Sequence, residues 1–175
     1  MRPTETPELS RFCCKFLHLE KDQLDDEEPL ENVIGAFNEW TLKVKKEHNL
    51  SLYHTGHAFT SNDNVTCIIT WTDWDIGTQL REEAKRKHIR IPTPIKSWVD
   101  LRSIARRHLP LKYGHVPRLR KMFDVMGVVW EGKQHSGIVD ARNTAKLALK
   151  FVDNLRITRT IGVIGRVKGD KYRFL

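Results

Sequence analysis

Cysteine is scarce in this chain of 175 residues, where Cys13, Cys14 and Cys67 are the three present. They form no CxxC pair and build no disulfide framework, and adjacent Cys13 and Cys14 would bridge each other only under strain. The expectation is a reducing compartment, with the thiols as small buried hydrophobes and not as metal ligands or nucleophiles. Long apolar runs are missing too. No stretch approaches the ~18 residues of a membrane span, and Met1 is followed by RPTETPELSR, without the basic start and apolar centre of a signal peptide. A membrane partner is excluded on this reading, and an intracellular place, cytoplasmic or nuclear, is expected. No internal repeat or low-complexity segment is present either, so the chain is not a repeat array.

What is present suffices for a folded core. Hydrophobic residues make up 39% and charged residues 30%, too apolar for disorder over most of the length. The length suits one domain. Charge is the most informative bulk property. Residues 1–75 hold 7 basic and 14 acidic side chains, net −7, whereas residues 76–175 hold 23 and 8, net +15. Such a basic second part favours a polyanion, nucleic acid ahead of acidic membrane because no basic amphipathic helix with an aromatic face accompanies it. The plain alternative is a solvated surface.

Along the chain, an extended lead-in and a short helix around Leu9, Phe12, Cys13 and Phe16 precede an acidic run, Asp25 to Glu28. Leu30, Val33, Ile34, Phe37, Trp40 and Val44 then recur at spacings of three and four, which predicts a helix over about 28–47. Residues 48–64 lack a period and read as a loop. Its His48, His54 and His57 could hold zinc, but nothing completes a site, and exposed loop histidines are the reading preferred. VTCIITW, apolar on both faces, predicts a buried strand. It runs into TDWDIGTQLREEAKRKH, a helix with Asp75 at its start and Ile76, Leu80 and Ala84 inward. IPTPIKSWVDL predicts a turn and a short strand, followed by a helix through Ile104 and Ala105. PRLRKMFDVMG predicts another, with Leu119, Met122, Phe123 and Met126 inward and Gly127 as its stop. A last helix over about 137–153 would bury Ile138, Ala141, Ala145, Ala148 and Val152. The tail after 157 alternates β-branched and basic residues, as an exposed strand or a loose end.

Two features invite a joint reading: a strand ending in Trp74-Asp75, and His135 five residues before Asp140. A carboxylate at the C-terminal end of a buried strand is a usual place for chemistry in α/β sheets. Phosphodiester hydrolysis by metal ions needs carboxylates to hold the metals and a base for the attacking water, and histidine titrates in the right range for that base. Asp140 in a first helical turn would be rigid, and His135 on the preceding loop mobile enough to reach the water. By itself HSGIVD is a weak signal, and taken alone a helix-capping turn with a solvated Asp is the reading preferred for it.

The order and wording of the chain add more. RPTETPELSRFC, the helix ending in NEW, TDWDIGTQL, IKSWVDLR and LRKMFDVMGVVWEGKQHSGIVDARNTAKLAL together resemble the Eri-type 3′-to-5′ exoribonucleases, which are DEDDh nucleases. EGKQHSGIVDARN is the most specific stretch, close to the family's EGRPHSGxDDARN. The resemblance implies an RNase H-like three-layer α/β fold with a mixed sheet, a nuclease domain over 1–157 and a basic tail over 158–175. It implies removal of nucleotides from RNA 3′ ends with release of 5′-mononucleotides, RNA with single-stranded 3′ ends as partner, and a two-metal Mg²⁺ site. Matched by position, Asp75 and Asp140 are metal ligands and His135 is the general base. Val139 stands where many relatives have an additional acid. Trp74 either shapes a nucleotide pocket or is a buried aromatic that supports the strand. Arg81, Arg106, Arg107, Arg118 and Arg120 are candidates for contact with an RNA backbone.

The departure lies at the front. Relatives open with a strand bearing Asp-x-Glu and two further strands, and this sequence starts after the matching region. Asp25-x-Glu27 and Asp26-x-Glu28 fit by letter but sit in a hydrophilic run ahead of a helix. Two of the four acidic ligands remain, so Mg²⁺ binding should be weak, and the strands VTCIITW and SWVDL should be left with an unpaired edge. The expectation is an exoribonuclease-family chain, weak or inactive as it stands; the alternative is a catalytically inactive RNA- or protein-binding remnant of that fold.

Overall fold

The structure, a computed structural model, describes residues 1–5, 8–17, 20, 22–53, 64–109, 115–155 and 164–166. These fall into two units, residues 1–50 and 51–175. In the first, the Ser10 hydroxyl accepts the Cys13 N–H at 3.1 Å and so caps α1 (Arg11–Leu17). A single turn, α2 (Asp22–Asp25), leads to α3 (Leu30–Glu47), the helix expected here. The Asp25 to Glu28 run is exposed and lies on no strand. Leu30, Ile34 and Thr41 are the buried residues of α3, whereas Val33 and Trp40, which share the apolar periodicity, are exposed. Burial of Thr41 is tolerable because its hydroxyl donates to the Phe37 carbonyl at 2.8 Å.

The second unit opens with a parallel pair, β1 (Ser51–Leu52) and β2 (Val65–Thr66). The residues expected as a loop over 48–64 therefore include a short strand. His54 and His57 lie outside the described residues. β3 (Ile68–Thr70) pairs parallel with β4 (Ser97–Asp100), Ile68 opposite Trp98 and Thr70 opposite Asp100. On its other side β4 pairs antiparallel with β5 (Ile164–Arg166). The sheet is thus mixed, as expected, but β4 has no open edge, because a segment of the C-terminal tail fills it. Between β3 and β4 run a π-helical segment, Trp74–Leu80, then α4 (Arg81–Arg86) and a 3₁₀ turn at Thr93–Ile95. After β4 come α5 (Leu101–His108), α6 (Leu119–Met126) and α7 (Gly137–Leu155).

Local chemistry explains these joints. The Asp100 carboxylate accepts the Ser103 N–H at 3.0 Å and the Ser103 hydroxyl at 2.9 Å, which starts α5 directly from the end of β4. Gly127 stops α6 in the left-handed region, φ +62, as expected of a glycine there. Leu101, Ile104 and Ala105 from α5, Met122, Phe123 and Met126 from α6, and Leu147, Ala148 and Phe151 from α7 form one core cluster.

Two expectations fail here. VTCIITW is not one buried strand: it breaks at Cys67 between β2 and β3, its residues are half-buried, and Ile69 is exposed. α7 packs on β3, and Ile69, alternating with Ile68 and Thr70 along the strand, faces the other way. On α7 the inward face is also different. Of the residues predicted to be buried, Ala148 is, but Ile138, Ala141, Ala145 and Val152 are exposed, and Asn143, Thr144, Leu147 and Phe151 are buried instead. Leu147 and Phe151 remove more apolar surface from water than Ala141 and Ala145 can, and they pack in the core with Phe123.

Candidate functional site

The exit from β3 is tied down at each step. The Trp71 carbonyl accepts the Arg102 N–H of α5 at 3.0 Å, and the Thr72 hydroxyl accepts the Trp74 N–H at 3.3 Å. The Asp73 carbonyl accepts the Gly77 N–H at 2.9 Å across the first turn of the π-helical segment. The fit at Gly77 is tight: a Cβ would sit 3.0 Å from the Trp98 ring and 3.1 Å from the Asp73 carboxyl carbon. A π-helical turn is rare and concentrates at functional positions.

Asp75 lies in that first turn. Desolvation holds its carboxyl above the ordinary range against the opposing pull of its own backbone N–H. Asp73, which sequence reasoning passed over, is raised in the same way, by desolvation first and then by the negative charge of Asp100. The indole N–H of Trp98 acts in the opposite direction, but it makes no hydrogen bond of ordinary geometry, so burial and like charge prevail. Trp74, beside Asp75, is 57% exposed. The alternative of a buried aromatic supporting the strand therefore falls, because the side chain at this position is turned to solvent.

The second half of the constellation precedes and opens α7. His135 is exposed and sits at φ +67, the left-handed region that a residue with a side chain seldom occupies. The Ser136 carbonyl accepts the Asp140 N–H at 2.8 Å, which sets Asp140 in the first turns of the helix, and the Asp140 carbonyl accepts the Thr144 hydroxyl at 2.8 Å. Asn143, in DARN, carried no role in the sequence reading. It is nonetheless buried, and it bonds the backbone of Glu131 in both directions, accepting from the N–H at 3.2 Å and donating to the carbonyl at 2.8 Å. A polar residue between apolar helix positions was the available signal for it.

Arg106, Arg107 and Arg118 are exposed. Arg81 stands 4.0 Å from Glu82, and Arg120 is held by Asp124 at 3.0 Å and lies 5.8 Å from the centre of the Trp130 ring. Bonds from Lys121 and Arg120 lower the Asp124 carboxyl in return. Cys67 is no nucleophile: its thiol bonds the Ser97 carbonyl at 3.4 Å, and burial pushes its pKa up to about 12. Among the described residues no three or more His, Cys, Asp or Glu side chains stand together as a metal cage. Asp75, His135 and Asp140 alone therefore do not fit a metal ion. No described helix is long and apolar enough to cross a membrane.

No protein-family model matches the chain. It is 34% identical over 153 residues to ERI1 exoribonuclease 2 of Danio rerio, covering 87% of this chain and 27% of that protein. The Homo sapiens protein of the same name is 33% identical over 170 residues, 94% of this chain and 24% of that one. The 3′-5′ exonuclease Snipper of Drosophila melanogaster is 36% identical over 152 residues, 86% and 52%. The chain thus spans about a quarter of the first two relatives and about half of the third. Among solved structures, the nuclease domain of 3′hExo, a DEDDh family member bound to rAMP, has a TM-score of 0.69 at 21% identity, over 88% of this chain and 70% of that one. A 3′-exonuclease in a structure of 3′-end specific recognition of a histone mRNA stem-loop has a TM-score of 0.68 at 20% identity, over 88% and 62%. At these identities the structures establish the fold, that of the DEDDh exonucleases.

Proposed function

Because the chain belongs to the Eri-type 3′-to-5′ exoribonuclease family, we propose that it serves the removal of nucleotides from RNA 3′ ends. The observation that carries this reading is the built motif around α7: an exposed histidine held at φ +67, five residues ahead of an aspartate in the helix's first turns. In the reaction, a water oxygen attacks the phosphorus of the last phosphodiester and the bond to the 3′ oxygen breaks. The proton of the water passes to the imidazole of His135, the 3′ oxygen is protonated as it leaves, and a 5′-mononucleotide is released. Exposed Trp74 offers a ring on which the terminal base can stack.

The resemblance implies a Mg²⁺ pair, which would supply the charge that activates water and steadies the leaving oxygen. Asp75 and Asp140 are the carboxylates that the resemblance would place around such a pair, and by themselves they do not complete a site for it. The 175 residues supply two of the four acidic ligands implied by the resemblance, so this chain by itself should bind RNA better than it cuts it.

Purified chain incubated with a 3′-hydroxyl RNA and Mg²⁺ or Mn²⁺ should release little 5′-mononucleotide. Trimming that collapses in Asp140→Ala would instead show a competent site and another acid in the missing role. RNA binding without any dependence of trimming on Asp75, His135 or Asp140 would overturn the site assignment.

A further inference from the structure

Asn143 is the least exposed polar side chain among the described residues, at 1%, and a buried amide must be bonded to be tolerated. Two of its three bonds tie the loop before α7 to the helix, and the third stays within α7. Nδ2 donates to the Glu131 carbonyl at 2.8 Å and to the Val139 carbonyl at 2.9 Å, and Oδ1 accepts the Glu131 N–H at 3.2 Å. The pair of bonds with Glu131 is the exchange that two backbone residues make in a sheet, here made by a side chain across 12 residues.

Neighbours on the same helix face reinforce it. Val139, Asn143 and Lys146 are spaced i, i+4 and i+7 and share one side of α7. The Lys146 ammonium pairs with the Glu131 carboxylate. The Val139 methyl groups lie against Gly132, where a Cβ would approach Cγ1 to 3.0 Å, and Gly132 takes φ +79. The Gly132 carbonyl accepts the Trp130 indole N–H at 3.0 Å, and Trp130 meets the fully buried Phe123 edge-on at 5.0 Å. The loop's beginning is thereby fixed to α7 and to the core, and its end is Ser136, whose carbonyl enters the helix ladder. His135 lies between these two anchors in a conformation that a non-glycine residue keeps only where its surroundings impose it.

We propose that Asn143 is the positioning residue for His135: by clasping the Glu131 backbone to α7, it closes the 131–136 loop and holds His135 in its left-handed conformation, in fixed relation to Asp140 on the same helix. This rests on the reading of His135 as the base. It also gives Val139 a role, since an apolar side chain at that position closes on Gly132 where many relatives carry an acid.

The test is amide hydrogen exchange with NMR on the 175-residue chain, comparing wild type, Asn143→Ala and Asn143→Asp. In Asn143→Ala the amides of 131–136 should exchange faster by roughly tenfold or more, as the loss of the two bonds to Glu131 implies, while those of Phe123 and Trp98 keep their protection. The strong intraresidue HN–Hα NOE that marks a left-handed residue should weaken at His135. Asn143→Asp retains the acceptor and loses the donors, so it should fall between the two; it also carries the test if the alanine variant does not fold. Unchanged loop protection, an unchanged His135 NOE, or a loss of protection spread evenly over the whole chain would overturn the proposal. These readouts stand whether or not the chain hydrolyses RNA. Hydrolysis that survives His135→Ala undiminished would sink the base assignment while leaving the clasp intact.

Discussion

Asp73 carries its charge against opposition, from burial and from the Asp100 carboxylate. A raised folded-state pKa means that the folded chain holds a proton which the unfolded chain releases. The associated stability is complete below the unfolded carboxylate range and is lost as pH rises through the folded value. Asp73→Asn removes that loss. The variant should unfold about 1 °C higher than wild type near pH 7 and at the same temperature near pH 3, the effect being small because the side chain is partly screened by solvent. Thermal unfolding at the two pH values checks it, and a lower midpoint for the variant at neutral pH would refute it. Gly77 poses a different constraint, of space and not of charge. Gly77→Ala places a methyl 3.0 Å from the Trp98 ring, and overpacking of that kind should cost about 1–3 kcal/mol in denaturant unfolding.

At the scale of elements, helix faces decide. Leu147 is fully buried and Leu149, two residues on, is 67% exposed. Leu147→Ala should therefore cost about 2–5 kcal/mol, by lost burial plus the cavity left behind. Leu149→Ala should stay within about 0.5 kcal/mol. Equal costs in urea unfolding would mean that the inward face of α7 has been assigned wrongly. α3 allows a stabilising change: Gly35 lies inside the helix with nothing within 4 Å of a built Cβ. Gly35→Ala should add about 0.5–1 kcal/mol, because alanine loses less backbone freedom on folding and meets no clash. A loss of stability in that variant would show that something unseen in the fold occupies the space.

For the molecule as a whole, residues 1–75 carry a net charge of −7 and residues 76–175 one of +15. Log affinity for a short single-stranded RNA should fall with log salt at a slope of about −0.7 per phosphate neutralised. Arg106 and Arg107 are exposed on α5, and replacing both by Ala should flatten the slope by about one to two phosphate equivalents while leaving base preference slight, since phosphate contacts carry no base information. Fluorescence anisotropy across a salt series measures this. Binding that ignores salt, or no binding at low salt, would leave the basic surface as solvated charge and nothing more.

Much of this was legible along the chain, because it depends on short-range chemistry. The period of α3, the Gly127 stop of α6, the strand-to-helix joint at Asp100 and the five-residue interval from His135 to Asp140 are all local in sequence. Resemblance to family motifs then implied roles for Asp75, His135 and Asp140 that no local pattern could supply. What depended on packing was not legible. Apolar periodicity shows that a helix has a face, but α7 carries two apolar stripes, and the competition between them is settled by which fits the core beside Phe123. The same holds for VTCIITW, since apolar residues on both sides of a strand do not reveal which side a helix will cover. Asn143 is the sharpest case: its partner lies 12 residues away, and a hydrogen bond across that distance exists only once α7 and the loop before it have been brought together.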